Sequence, residues 1–182
     1  MPSRDVEIAY TITRGTQTLV ERTRWSAAAG TQRVDPPGRN IHLVMDHKQH
    51  HAWLVDDDAH TVMEMAPPKL GALEPDSNAS FVRHGTATVA GLGCTEWETK
   101  SGGPDTILCL TDDGVLLRVQ GGGKTLIEAT QVTYAANDAA IFVVPTDYTR
   151  VTPPPRRGAA GMPQPGISPP RPPAPAPASP SE

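Results

Sequence analysis

The sequence predicts a mainly β fold: one large, curved antiparallel sheet of the half-barrel kind. Three observations carry that prediction. Apolar residues recur with period two, the segments that carry this period are separated by short turn clusters, and connections so short leave no room for parallel crossovers. The chain of 182 residues and 19.3 kDa holds one domain with a sizeable core.

In chain order, Val6, Ile8, Tyr10 and Ile12 alternate with Glu7, Ala9 and Thr11, as a half-buried strand requires. A second strand is expected at 19–25 (LVERTRW). In a third, Ile41, Leu43 and Met45 alternate with His42, Val44 and Asp46. Further runs at 52–55, 61–65, 86–90, 106–110, 115–120, 125–134 and 140–144 bring the expectation to about ten strands. Between them stand hairpin signals such as Thr13 to Gly15, Pro36 to Gly38, Asp56 to Asp58 and Gly121 to Gly123. The segment 66–83 is long for a hairpin loop, and Pro67, Pro68 and Pro75 exclude it from a central strand, so a small helical or loop insert is expected there. A long sheet curving around a small insert has a concave apolar face, and a face too wide to be filled by side chains becomes a ligand cavity.

Proline marks the domain boundary. Twelve of the 20 prolines fall in 153–182, which has no aromatic residue, so the expected organisation is a β domain at 1–152 and a disordered proline-rich tail at 153–182. The tail is a spacer or a ligand for a proline-reading protein partner. The domain holds 13 Lys and Arg against 19 Asp and Glu. That balance repels phosphate and argues against nucleic acid as a partner. No window reaches the roughly 18–20 apolar residues of a membrane-spanning helix, and the start MPSRDVEIAY has no apolar core like that of a signal peptide, so the chain as given is expected to be soluble.

Cys94 and Cys109 flank the turn sequence KSGGPD. If the hairpin turns about Ser101 and Gly102, paired residues have numbers that sum to 203, which sets the two cysteines directly opposite each other at disulfide distance. The other reading is a pair of reduced core thiols in a reducing compartment.

Several constellations invite an enzymatic reading. Asp46, His47, His50, His51 and His60 crowd imidazoles near a carboxylate, and imidazole suits zinc, copper and nickel. His47, His50 and His51 are thus the candidate metal ligands, but HKQHH reads first as a polar turn between strands, and no metal is expected. GGGKT at 121–125 resembles the end of a phosphate loop, yet Arg118 stands where that pattern needs glycine, and the following segment alternates as a strand. Asp56 to Asp58 lack calcium-loop spacing, and no serine sits in a GxSxG elbow. No catalytic residue and no cofactor are expected. Trp25, Met45, Trp53, Met63 and Met65 remain: large or pliable apolar side chains at strand positions, which either fill the core or line a ligand-binding concavity.

GLGCTEW (91–97) and LCLTDDGVLLRV (108–119), with MDHKQHHAWLVDDDAHTVMEM (45–65) before them and IFVVPTDY (141–148) after, resemble an uncharacterised family of mostly exported bacterial domains. The fold of that family is related to that of the LolA and LolB lipoprotein carriers. The resemblance covers about residues 5–150. It implies an open, strongly curved sheet with a small helical cover, a periplasmic or cell-envelope location and a bridged cysteine pair. It also implies a non-enzymatic role in which the concave face holds a lipid or a lipoprotein acyl chain. Against that stand the missing leader and the proline tail; if the start is correct, the expected location is the cytoplasm. The alternative role is a structural or protein-interaction module using the tail or a sheet edge, and a metal-dependent enzyme stands behind both.

Overall fold

The structure is a computed structural model, and it describes residues 1–67, 80–100 and 105–152. The centre of the expected insert and the proline-rich tail lie outside the described residues. Twelve strands form a single sheet: β1 (Val6–Arg14), β2 (Gln17–Ser26), β3 (Thr31–Asp35), β4 (Ile41–Asp46), β5 (His51–Asp56), β6 (Thr61–Met65), β7 (Ser80–Val89), β8 (Leu92–Lys100), β9 (Thr106–Leu110), β10 (Leu116–Gly121), β11 (Lys124–Thr133) and β12 (Thr149–Val151). Their spatial order is β12-β6-β5-β4-β3-β2-β1-β11-β10-β9-β8-β7. Two antiparallel meanders, β1 to β6 and β7 to β11, are therefore joined through the β1–β11 pair, and β12 adds to the outer side of β6 in parallel.

The large curved antiparallel sheet is as the alternation predicts, with differences at four places. The 31–35 and 149–151 segments are strands without a sequence period of their own. Residues 80–83, read as insert, open β7. The apolar run 140–144, read as a strand, instead starts with a single 3-10 turn at Ala139–Phe142, because the Asp138 carboxylate accepts from the Ala140 amide at 2.9 Å and caps it. The turn signals hold where backbone geometry demands them: Gly122 and Gly123 both take positive φ (57° and 72°), the two-residue turn that matches strand twist.

Register shifts in the β1–β11, β10–β11, β9–β10 and β7–β8 ladders bend one half of the sheet. The bend brings Val6, Ile8, Tyr10 and Trp25 from β1 and β2 into one core with Val89, Cys94, Cys109, Val115, Leu117 and Ala129. Tyr10 donates its hydroxyl to the Leu116 carbonyl at 2.7 Å across that core, and burial pushes its ionisation well above the usual range.

Cys94 and Cys109 are joined in a disulfide, with Cα atoms 5.4 Å apart. The expected pairing is present, but the expected register is not. β8 and β9 pair Glu96 with Cys109 and Thr99 with Thr106, so partner numbers sum to 205 and the bridge links a diagonal pair. Because the pairing is offset by two residues from the expected one, the cysteines leave direct opposition but stay on one face.

The two sheet faces differ. Cross-strand register runs Val6, Trp25, Gln32, Met45, Ala52 and Met65 in one row, and Thr23, Val34, Leu43, Leu54 and Met63 in the next, on the same face. The opposite face carries Glu7, Arg24, Arg33, Val44, Trp53 and Glu64. There the Arg24 guanidinium bridges Glu7 and Asp35 at 2.8 Å each, and Arg33 donates to the Ile141 carbonyl at 3.0 Å. The chain from β11 to β12 thus crosses this face, with the Tyr148 hydroxyl on Asp57 at 3.1 Å, while Val44, Val55 and Val62 are buried on it.

His42 shares that face and is 4% exposed. Its Nδ1 lies 3.1 Å from Asp57 without the alignment of a hydrogen bond. Burial, helped by the Arg33 cation, lowers its pKa against the smaller opposing pull of Asp57 and Asp35. The neutral ring is therefore favoured in the folded state. Stability from this group is complete above about pH 6.5, the unfolded value, and is lost as pH falls through the lower folded value. Denaturant midpoints should drop on acidification below that point, and His42→Gln should flatten part of the drop; a profile identical to wild type would remove His42 as its source.

Candidate functional site

The face that carries Trp25 and Met45 encloses an open cavity of about 680 Å³. β1 contributes Ile8, Tyr10 and Ile12, β2 Glu21, Thr23 and Trp25, β3 Gln32 and Val34, and β4 Leu43 and Met45. These are alternate residues of four neighbouring strands, which is why one face of one meander makes most of the wall. Leu110, Leu116, Leu126 and Ile127 close it from the other half of the sheet, so the cavity exists because the sheet curves. Its size falls in the range of roughly 300–1,000 Å³ typical of ligand sites, and a mostly apolar lining with few polar groups is the usual composition of such sites.

The N-terminal residues border the cavity and are tied to both of its sides. Met1 and Pro2 line it, Trp25 donates its indole N–H to the Pro2 carbonyl at 2.8 Å, and the Ser3 amide donates to the Asp113 carbonyl at 2.8 Å. Arg4 holds the Asp113 carboxylate through Nε and Nη2 at 3.0 and 2.8 Å and lies over the Tyr134 ring at 4.0 Å. Partial burial pushes the Asp113 carboxyl up, but hydrogen bonds from Thr111, Arg4 and Tyr134 outweigh it and leave the group below the ordinary carboxylate range. Gly114 is needed here: its φ is +87°, and a Cβ would stand 2.6 Å from the Met1 carbonyl oxygen.

Of the five apolar candidates, Trp25 and Met45 line the cavity. Met63 and Met65 share its face further along the sheet but are not part of its lining. Trp53 pairs with Val44 on the opposite face, where it stacks on His51 at 5.6 Å. The histidines disperse. His47 Nε2 meets Gln32 at 2.9 Å and its ring lies edge-on to Trp25, His50 occupies the β4–β5 turn with φ 58°, and His51 pairs with Glu64 at 2.7 Å. Among the described residues no three metal-ligating side chains converge.

Sequence reasoning missed the two charged side chains of the cavity, Glu21 and Arg14. The available signal was phase: Glu21 alternates in step with Thr23 and Trp25 and so points inward. Partial burial raises the Glu21 pKa, and Arg14 opposes that rise.

Comparison with known proteins yields a fold. An uncharacterized conserved protein from Thermus thermophilus superimposes with a TM-score of 0.60 at 14% identity, over 83% of this chain and 91% of that one. MucB in the Pseudomonas aeruginosa MucA/MucB complex gives 0.57 at 15% identity over 81% of this chain, and MucB in complex with MucA(peri) gives 0.55 at 14%. The curved sheet is shared. The matches span 58% and 57% of the MucB chains. No protein-family model matches the sequence, and no curated protein matches it. Among the described residues there is no helix long and apolar enough to cross a membrane.

Proposed function

We propose that this protein is a non-enzymatic binding protein of the bacterial cell envelope that holds an apolar ligand, of the acyl-chain class, in the cavity on the concave face of its sheet. The observation that carries this reading is the cavity itself: about 680 Å³ walled by Ile8, Tyr10, Trp25, Val34, Leu43 and Met45. Burial in such a site stabilises each methylene by about 0.8 kcal/mol, so a chain of several methylenes binds without any reacting residue. The Cys94–Cys109 bridge supports an oxidising compartment, since such bonds rarely persist in the cytosol. The motif resemblance to exported domains with a lipoprotein-carrier fold points the same way.

Protein isolated from native envelopes should carry co-eluting lipid visible by mass spectrometry, and ligand-free spectra from repeated preparations would count decisively against the reading. Deleting 153–182 should leave that lipid in place.

A second reading has its own observation. β7 ends the sheet, and Phe81 and Val82 on it are 46% and 49% exposed, which suits an extended peptide adding a strand. MucB, which shares the fold, was solved in complex with MucA. Under this reading a charged pair of substitutions, Phe81→Glu with Val82→Lys, abolishes partner capture and spares lipid retention.

A further inference from the structure

We infer that the cavity selects a cationic amphiphile, an apolar body ending in a protonated amine, and that Glu21 is the residue that recognises the amine. The inference rests on the cavity being the ligand site proposed above and adds the chemistry of the ligand's polar end.

The cavity presents two charged side chains, Glu21 and Arg14, against a wall that is otherwise mostly aliphatic and aromatic. Both belong to the β1–β2 hairpin. Glu21 pairs with Tyr10 across the strands, Arg14 pairs with Gln17 at the hairpin tip, and strand alternation puts both on the cavity face. Along β2 from Trp25, the cavity-facing residues are Thr23 and then Glu21, the first charged side chain on that face of the strand.

That carboxylate is unclaimed by hydrogen bonds within the described protein. The neighbouring Tyr10 hydroxyl, the obvious donor, is committed to the Leu116 carbonyl. Arg14 acts on Glu21 through charge alone, without forming an ion pair at contact distance. The contrast with the opposite face is informative: there Glu7 and Asp35 are each held by arginine at 2.8 Å, as carboxylates in a purely structural network are. A carboxylate that stands half-buried in an apolar wall without a donor is one that a ligand's N–H groups satisfy best, because charge-assisted hydrogen bonds are strongest where water is partly excluded. An anionic head placed at the same point meets repulsion and gains nothing. Arg14, further out, competes with the amine for Glu21 and lowers the affinity that the carboxylate alone would give.

The test compares three ligands that differ only at the polar end: dodecylamine, dodecanol and dodecanoate, each below its micelle concentration or solubility limit at pH 7.4 and fixed salt, with calorimetry and intrinsic tryptophan fluorescence as readouts. The amine should bind at least about tenfold tighter than dodecanoate, with dodecanol between them. Glu21→Gln should bring the three affinities within about threefold while leaving dodecanol unchanged, and its thermal melt shows that the variant folds. Arg14→Gln should raise amine affinity by about two- to fivefold. Dodecanoate binding as well as the amine, or an amine preference that survives Glu21→Gln, overturns the inference and leaves the cavity reading standing. Failure of all three ligands to bind wild-type protein overturns both.

Discussion

Trp25→Ala should destabilise the domain by about 3–5 kcal/mol, the range for removing a buried aromatic side chain. For a domain of this size that corresponds to a fall in melting temperature of roughly 6–20 °C. Trp25 is 5% exposed, sits in the main core cluster, and bonds the Pro2 carbonyl. Its loss therefore removes a core contact, a cavity wall and an N-terminal anchor together. Trp25→Phe separates these: it keeps most of the packing but leaves the Pro2 carbonyl without its indole donor, at about 1 kcal/mol plus the lost ring volume. Chemical denaturation of both variants is the measurement. A loss below about 1 kcal/mol for Trp25→Ala, well under the range for a buried aromatic, would mean that the residue is only the rim of an open surface.

Breaking the Cys94–Cys109 bridge is the second large effect. The cysteines are 15 positions apart, and the chain-entropy model gives about 3 kcal/mol for a loop of that length. Melting temperature should fall by roughly 6–12 °C on reduction. The Cys94→Ala, Cys109→Ala double variant should match the reduced protein and ignore reductant. Thiol labelling of unfolded, unreduced protein from an oxidising compartment should find neither cysteine free. Equal melts with and without reductant, on protein shown to be bridged, would dismiss the bridge as a stabiliser of the fold.

How far the candidate site was legible depends on what each residue's placement depends on. Alternation along β1, β2 and β4 identifies Ile8, Tyr10, Trp25, Leu43 and Met45 as residues of buried faces, because strand side chains alternate whatever the strand pairs with. It does not say which face. Trp53 and Met45 look equivalent in sequence, yet the four-residue turn at 47–50 pairs Met45 with Ala52 and sends Trp53 to the opposite side. Turn length sets that parity, and a change of one residue would reverse it. The expected cysteine register failed in the same way: the β8–β9 partners sum to 205, not 203. β12 was invisible because three residues, Thr149 to Val151, carry no period, and their pairing with β6 depends on where the preceding chain crosses the sheet.

The sequence by itself determined the strand-rich fold, its hairpin punctuation and the cysteine pair, since each follows from local spacing and composition. Only the tertiary structure decided which strands meet. It joined β1 to β11, bent the sheet at its bulges so that one face encloses a cavity, and brought Glu21 and Arg14 into that cavity while dispersing the histidines. The physical reason is that side-chain alternation is a property of each strand, whereas curvature, register and the choice of neighbour come from contacts between residues far apart in the chain.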